Sequence, residues 1–347
     1  MPKPYTVTPI SSELAEQLHA MPKAEIHVHL EGATDAETFY QMAQRNHVEL
    51  PVASLDEWKA FFEFRDFPHF IDVYTTAVKC LQTPEDYALM IEQLYKRQAE
   101  QNIRYTEAFL SASFATQKLQ DDEILDAIAA ACKTGAEKYQ CQIHFIPDIS
   151  REIPDSQHRV LDFVIKGKER GLFLGLGMGG LENGYPAELF AETYAEAQRQ
   201  GLRVVAHAGE AVGPESIWGA VTALNAERIG HGIRCLADAE LVDFLRQHQI
   251  PLEVSPNSNY CLGVVAWERP HPIRAMVDAG LYCTVNSDDP AMFATSLTNE
   301  YQTLAKQGFS WEELWQLNVN TLNATFLNDE EKERYRTEWE TFEPSTT

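Results

Sequence analysis

Eight short apolar runs, each followed by a helix-like stretch, constrain the fold of this chain more than any other feature. The runs span residues 24–29, 103–109, 142–148, 172–178, 202–207, 228–231, 250–255 and 281–286. They are rich in Val, Ile, Leu and aromatic residues, as parallel strands covered on both faces should be. Stretches such as 188–200, 216–225 and 239–247 carry apolar residues three and four apart, the stripe of a helix lying on a sheet. Eight such alternations predict an α/β fold, a (β/α)8 TIM barrel, whose C-terminal strand ends converge on one face. The 347 residues exceed the usual barrel length modestly, and no repeat, low-complexity tract or Gly/Ser linker divides them. We therefore expect one domain over residues 1–347. The excess lies at residues 30–102, which read as several helices where a βα loop normally takes a few residues. A helical insertion after the first strand would stand over the C-terminal face as a lid. Trp58, Phe61, Phe62, Phe64 and Phe67 form an aromatic patch within it, which suits either a packed helix face or a substrate gate.

Charge narrows the partners. There are 28 basic against 52 acidic side chains, a formal net charge of −24. A nucleic-acid polymer or an anionic membrane calls for Lys and Arg in excess, so neither is expected. A small neutral or cationic ligand fits this field better. No apolar run is long enough to span a bilayer, and the N-terminal stretch lacks the apolar centre of a secretory signal. Six cysteines without any C-x-x-C pair read as reduced thiols of a cytoplasmic protein.

The residues that could carry chemistry sit where the strands end. The first run closes on His27-Val28-His29, and residues two apart on a strand share a side, so both imidazoles can reach one metal ion. The fifth presents His207, with Glu210 on the turn that follows; Glu210 also suits a helix N-terminal acid. The sixth ends Gly230-His231-Gly232, a histidine whose flanking backbone can approach a ligand closely, or a plain turn. The eighth leads into Asp288-Asp289-Pro290. Two adjacent aspartates at a buried strand mouth call for something positive, although a turn or cap accounts for one of them. Three imidazoles and a carboxylate, His27, His29, His207 and Asp288, suit Zn²⁺ with room for a water, whose pKa the metal lowers towards ~7. Glu210 is then placed to shuttle a proton and His231 to orient the hydroxide. His69, His144, His158, His248 and His271 read as structural, His271 as part of a loop before a helix.

With these residues in view, the chain resembles the adenosine/adenine deaminase family of the metal-dependent amidohydrolases. The matching stretches are residues 22–33, His207-Ala208-Gly209-Glu210, residues 228–232 and residues 286–290, in the family's order. The resemblance implies a zinc cofactor on His27, His29, His207 and Asp288, with Glu210, His231 and Asp288 catalytic. It further implies a substrate held by Asp289 at purine N7, by the Gly180 backbone at N3, and by His29 and Glu31, the latter on the sugar side. The implied reaction is water attack at the amino-bearing carbon, loss of ammonia and an inosine-type product.

The substrate stays open between three classes. Glu31 stands where typical adenosine deaminases resemble His-Leu-Asp-Gly, with an Asp at the ribose 5′-hydroxyl; adenine deaminases and enzymes for 5′-substituted adenosines share the Glu. Adenine deaminases usually show Arg-Ile-Asp-His-Gly where this chain has Arg228-Ile229-Gly230-His231-Gly232. Residues 252–259 look closer to the 5′-substituted branch, such as aminodeoxyfutalosine deaminases. The expectation is an adenine nucleoside, adenosine or a 5′-modified one such as methylthioadenosine or aminodeoxyfutalosine. Free adenine is the alternative, and a catalytically inactive nucleoside binder is the alternative of another class.

Overall fold

The computed structural model describes residues 8–63 and 67–342. Eight strands run in chain order: β1 (Lys23–His29), β2 (Ile103–Leu110), β3 (Gln142–Ser150), β4 (Gly175–Gly179), β5 (Arg203–Ala208), β6 (Arg228–His231), β7 (Leu252–Val254) and β8 (Cys283–Val285). Each pairs in parallel with the next, from β1 to β8. The ring closes through a bridge between Val28 and Asp288, where the Asp288 N–H donates to the His27 carbonyl at 3.1 Å and His29 N–H to the Asp288 carbonyl at 2.8 Å. Helices surround the strands, and the architecture is the (β/α)8 barrel.

Several strands start later than their apolar runs, for one reason. Leu172, Leu202, Ile250 and Leu281 donate their backbone N–H to Gly167, Ala197, Leu245 and Met276 respectively, so each closes the end of the preceding helix. The residue before each of them, Gly171, Gly201, Gln249 or Gly280, has positive φ. This is the six-to-one bond of a helix C-terminus, with an apolar residue beyond the left-handed position. The apolar residue belongs to the helix stop, and the strand begins after it.

Between β1 and β2 the described residues form four helices, Ala36–Arg45, Leu55–Phe62, Phe67–Lys79 and Pro84–Glu100. The last packs along the helix Asp121–Tyr139 in the outer ring, where Gly135 lies against the Tyr95 ring. Of the aromatic patch, Trp58 is fully buried and its indole N–H donates to the Ala36 carbonyl at 2.7 Å, with Phe61 stacked on it and Phe62 at its edge. Phe64 lies outside the described residues, as does the side chain of Phe67. The helix Phe67–Lys79 brings Phe70, Ile71, Tyr74 and Thr75 to the barrel mouth.

The barrel interior carries charge. Arg228 on β6 bridges Glu107 on β2, at 2.5 Å, and Glu253 on β7, at 2.6 Å, with the Phe326 ring over its guanidinium. At the start of β1 Lys23 donates to the carbonyls of His19, Met21 and Gln101 at 2.7–2.9 Å. No helix among the described residues is long and apolar enough to cross a membrane.

Candidate active site

Donor and acceptor rules fix which nitrogens of the strand-end histidines face one another. His207 Nδ1 lies 2.7 Å from the Met178 carbonyl, which can only accept, so Nδ1 carries the proton and Nε2 is bare. His27 Nδ1 lies 2.8 Å from Glu253 Oε2 in the same sense, and its Nε2 has no hydrogen-bond partner. His29 Nε2 is 3.1 Å from His207 Nε2 and 3.3 Å from Asp288 Oδ1, and His27 Nε2 is 3.4 Å from that same oxygen. Imidazole nitrogens and a carboxylate oxygen converge on one point, an arrangement that costs energy unless positive charge sits among them. The donor set of nitrogens and one oxygen suits zinc. His27, His207, His231 and Asp288 form one cluster of potential ligand atoms, and His29, Asp288 and Asp289 a second that shares Asp288.

Titration follows the crowding. Burial, then the neighbouring His27, His29 and His231, pushes His207 well below the usual imidazole range. Burial works against a proton on His27, but Asp288 and Glu253 outweigh it and hold that imidazole up to about 9. Burial alone would raise the Asp288 carboxyl; hydrogen bonds to His27 and His29 bring it well below the carboxylate norm.

The other expected residues surround this point. Glu210 lies in the turn after β5, which Glu182 holds by accepting the N–H groups of Gly209, Ala211 and Val212 at 2.5–2.8 Å. Its Oε2 is 3.7 Å from His231 Nε2, its Oε1 has no partner, and burial with Asp288 and Glu182 nearby pushes its carboxyl up to about 8. His231 and Asp288 both have left-handed backbones, φ 63° and 64°. A side chain seldom adopts that conformation without a structure that enforces it, and such strain gathers at working sites. Asp289 presses on Gly32: a Cβ there would lie 1.7 Å from its Oδ1. Ser258 Oγ donates to Asp288 Oδ2 at 2.6 Å.

Asp288, Asp289, Glu210, His231, His207, His29 and Gly180 all line one cavity of about 100 Å³. Glu31 stands behind its wall, fully buried. Its Oε1 accepts the Ser111 N–H at 3.0 Å, and Ser111 with Tyr74 forms the surface in front of it. Burial pushes the Glu31 carboxyl up to about 7. Gly230 offers no free volume beside His231, because a Cβ there would meet His27 Cε1 at 2.9 Å; the glycine admits the His27 ring.

Sequence reasoning missed the far wall of the cavity, where β3 and its loop supply Asp148, Ser150 and Glu152. It also missed Glu253, Ser258 and Asn259, which touch His27, Asp288 and His231. The signal available for the β3 residues was an acid inside an apolar strand, Asp148, at the barrel's ligand-binding end. His271 is no isolated loop histidine, since it reaches Asn259 at 3.1 Å.

Comparison with known proteins gives the family. Residues 22–341 match the family model described as adenosine deaminase. An adenine deaminase from Acinetobacter baylyi is 33% identical over 324 residues, covering 92% of this chain and 97% of that one. An aminodeoxyfutalosine deaminase from Streptomyces avermitilis is 36% identical over 336 residues, 95% and 93% of the two chains. A solved amidohydrolase from Burkhoderia ambifaria with bound Zn superimposes with a TM-score of 0.89 at 26% identity, over 98% of this chain and 95% of that one. The chain belongs to the adenosine deaminase family of amidohydrolase-fold enzymes, and it is a hydrolytic deaminase of adenine-type substrates.

Proposed function

We propose that the enzyme deaminates an adenine nucleoside, adenosine or a 5′-modified form of it, to the inosine-type product and ammonia. One observation carries the choice of a nucleoside. Beyond the groups that a purine edge can occupy, the cavity wall continues through Ser111, Asp148, Ser150 and Glu152, and Asp148 Oδ1 is buried without a partner. An unused acceptor of this kind suits a sugar hydroxyl, and a free base would leave it unpaired at a cost of about 1–3 kcal/mol.

His27, His29, His207 and Asp288 would hold zinc. Bound there, the metal acidifies water and so supplies the oxygen nucleophile at neutral pH. Glu210 faces the purine N1 and hands it a proton as the water oxygen adds to the amino-bearing carbon. His231 offers Nε2 beside the attacking oxygen, and the C–N bond then breaks as the amino group takes up the proton that the added hydroxyl gives up, leaving as ammonia while the carbonyl forms. Asp289 meets N7, and the Gly180 N–H meets N3. Glu31 acts on the sugar side through Ser111 and Tyr74. The helices over the mouth, within residues 30–102, would cover the bound substrate in a barrel that forms one domain. The six free cysteines fit a reducing, cytoplasmic compartment.

Free adenine is the second reading, favoured by the activity named for the Acinetobacter relative. The two separate in one assay, the ultraviolet change of deamination with adenine, adenosine, 5′-methylthioadenosine and aminodeoxyfutalosine. We expect kcat/KM for some nucleoside to exceed that for adenine by ~10²-fold or more, about 3 kcal/mol of differential transition-state binding. Efficient adenine turnover with negligible activity on every nucleoside would reverse the order of the two readings.

A further inference from the structure

A chain of three hydrogen bonds runs from a helix start to the site, and its direction is set at the far end. The Ile273 backbone N–H donates to His271 Nδ1 at 3.1 Å. A backbone N–H can never accept, so Nδ1 of His271 is bare and its proton sits on Nε2. That Nε2 lies 3.1 Å from Asn259 Oδ1 and donates to it. The Asn259 amide is thereby oriented with its NH₂ towards His231, where Nδ2 lies 3.4 Å from His231 Nδ1. His231 Nδ1 must accept, so the His231 proton belongs on Nε2. This nitrogen faces Glu210 Oε2 at 3.7 Å and Asp288 Oδ2 at 4.0 Å. His271, Asn259 and His231 are all at most 1% exposed.

We propose that Asn259 and His271 are positioning residues that lock His231 in the Nε2–H tautomer, so that it enters the reaction as a hydrogen-bond donor at the attacking oxygen and not as a base. Each link follows from the donor and acceptor capacity of the next group, and the left-handed backbone at His231 holds the ring in place. The consequence for the chemistry rests on the role given to His231 above; the tautomer itself does not.

Histidine-selective ¹⁵N NMR of the metal-loaded enzyme reads the tautomer directly, with the His231 signal identified by its absence in His231→Asn. Wild type should show a protonated Nε2 and a bare Nδ1. Asn259→Asp replaces the donor by a carboxylate that can only accept, so the proton should move to His231 Nδ1. Turnover should then fall by ~10²-fold, the scale of a lost proton-handling group, with KM changed less than about threefold. His271→Phe should give a mixture of tautomers and an intermediate loss, whereas His271→Gln, which keeps a donor to Asn259, should restore the Nε2–H form. If Asn259→Asp does not fold, the His271 pair carries the test. A protonated Nδ1 in wild type, or an unchanged His231 signal in both Asn259→Asp and His271→Phe, would overturn the lock. The spectrum needs no substrate, so a locked tautomer in an enzyme inactive on every nucleoside would sink the proposed substrate and uphold the lock.

Discussion

In the proposed reaction Glu210 moves a proton without holding the cation. Its carboxyl lines the cavity, one oxygen is unpartnered, and Glu182 fixes the turn that carries it. Glu210→Gln keeps the shape and the metal donors but removes the transferable proton. Turnover should drop at least ~10²-fold with metal content unchanged. Loss of metal from this variant, measured by elemental analysis, would instead make Glu210 a ligand. His207 tests the opposite role. Its Nε2 is bare because Nδ1 is spent on the Met178 carbonyl, so His207→Ala should strip most of the metal and nearly all activity. Full occupancy with ordinary turnover would refute the ligand set. Strand-end placement made His27, His29, His207, His231 and Asp288 legible, since a polar residue closing an apolar run is visible in one dimension. Asn259 and His271 carried no such mark. Their meaning lies in a hydrogen-bond direction that depends on residues 12 to 28 positions apart.

At the scale of elements, the order and type of the eight strands could be read because parallel strands in a barrel are continuous apolar runs. Their first residues could not. Leu172, Leu202, Ile250 and Leu281 are as apolar as strand residues, yet each caps a helix through its backbone N–H. Composition does not distinguish an apolar residue that packs a helix stop from one that starts a strand. Lys23 is the polar exception at the start of β1. Its ammonium joins the end of the helix Ser12–Ala20, through the His19 carbonyl, to β1 and to Gln101 after the helix Pro84–Glu100. Lys23→Met would keep the apolar stem and leave three carbonyls short of a donor. We expect a loss of about 3 kcal/mol in urea unfolding, at 1–3 kcal/mol per buried unpaired group with partial relaxation. The reaction centre lies at the other end of the strands, so kcat should stay within about twofold. A loss below 0.5 kcal/mol would mean that water or neighbouring donors replace the ammonium.

At the scale of the whole molecule, the site and the closure of the barrel are one construction. The seam between β1 and β8 is joined at Asp288, whose backbone bonds to His27 and His29 while its side chain faces both imidazoles. Behind it, Glu253 holds His27 and is held by Arg228, which reaches across to Glu107 on β2. This network could not be read from the sequence, because an Arg that opens a strand and two Glu inside strands look like interruptions of the core until the barrel brings them together. Arg228→Met would leave two buried carboxylates uncompensated, a cost of about 3–5 kcal/mol, and would free His27 to turn, lowering metal affinity by 10–100-fold. Equal stability and affinity in the variant would show that the network is ornamental to both. A cation held by the proposed donors would connect β1, β5 and the segment after β8, and would bind the folded chain alone, because only the closed ring assembles the four donors. Free zinc at 1,000 times its dissociation constant should therefore add about 4 kcal/mol to stability. Removing it with a chelator should lower the midpoint of thermal unfolding by several degrees, and returning zinc should restore it together with activity. Should the chelated protein and the protein under saturating zinc unfold at the same temperature, the donors at the seam would not form a folded-state metal site, and the ligand set drawn from His27, His29, His207 and Asp288 would have to be abandoned.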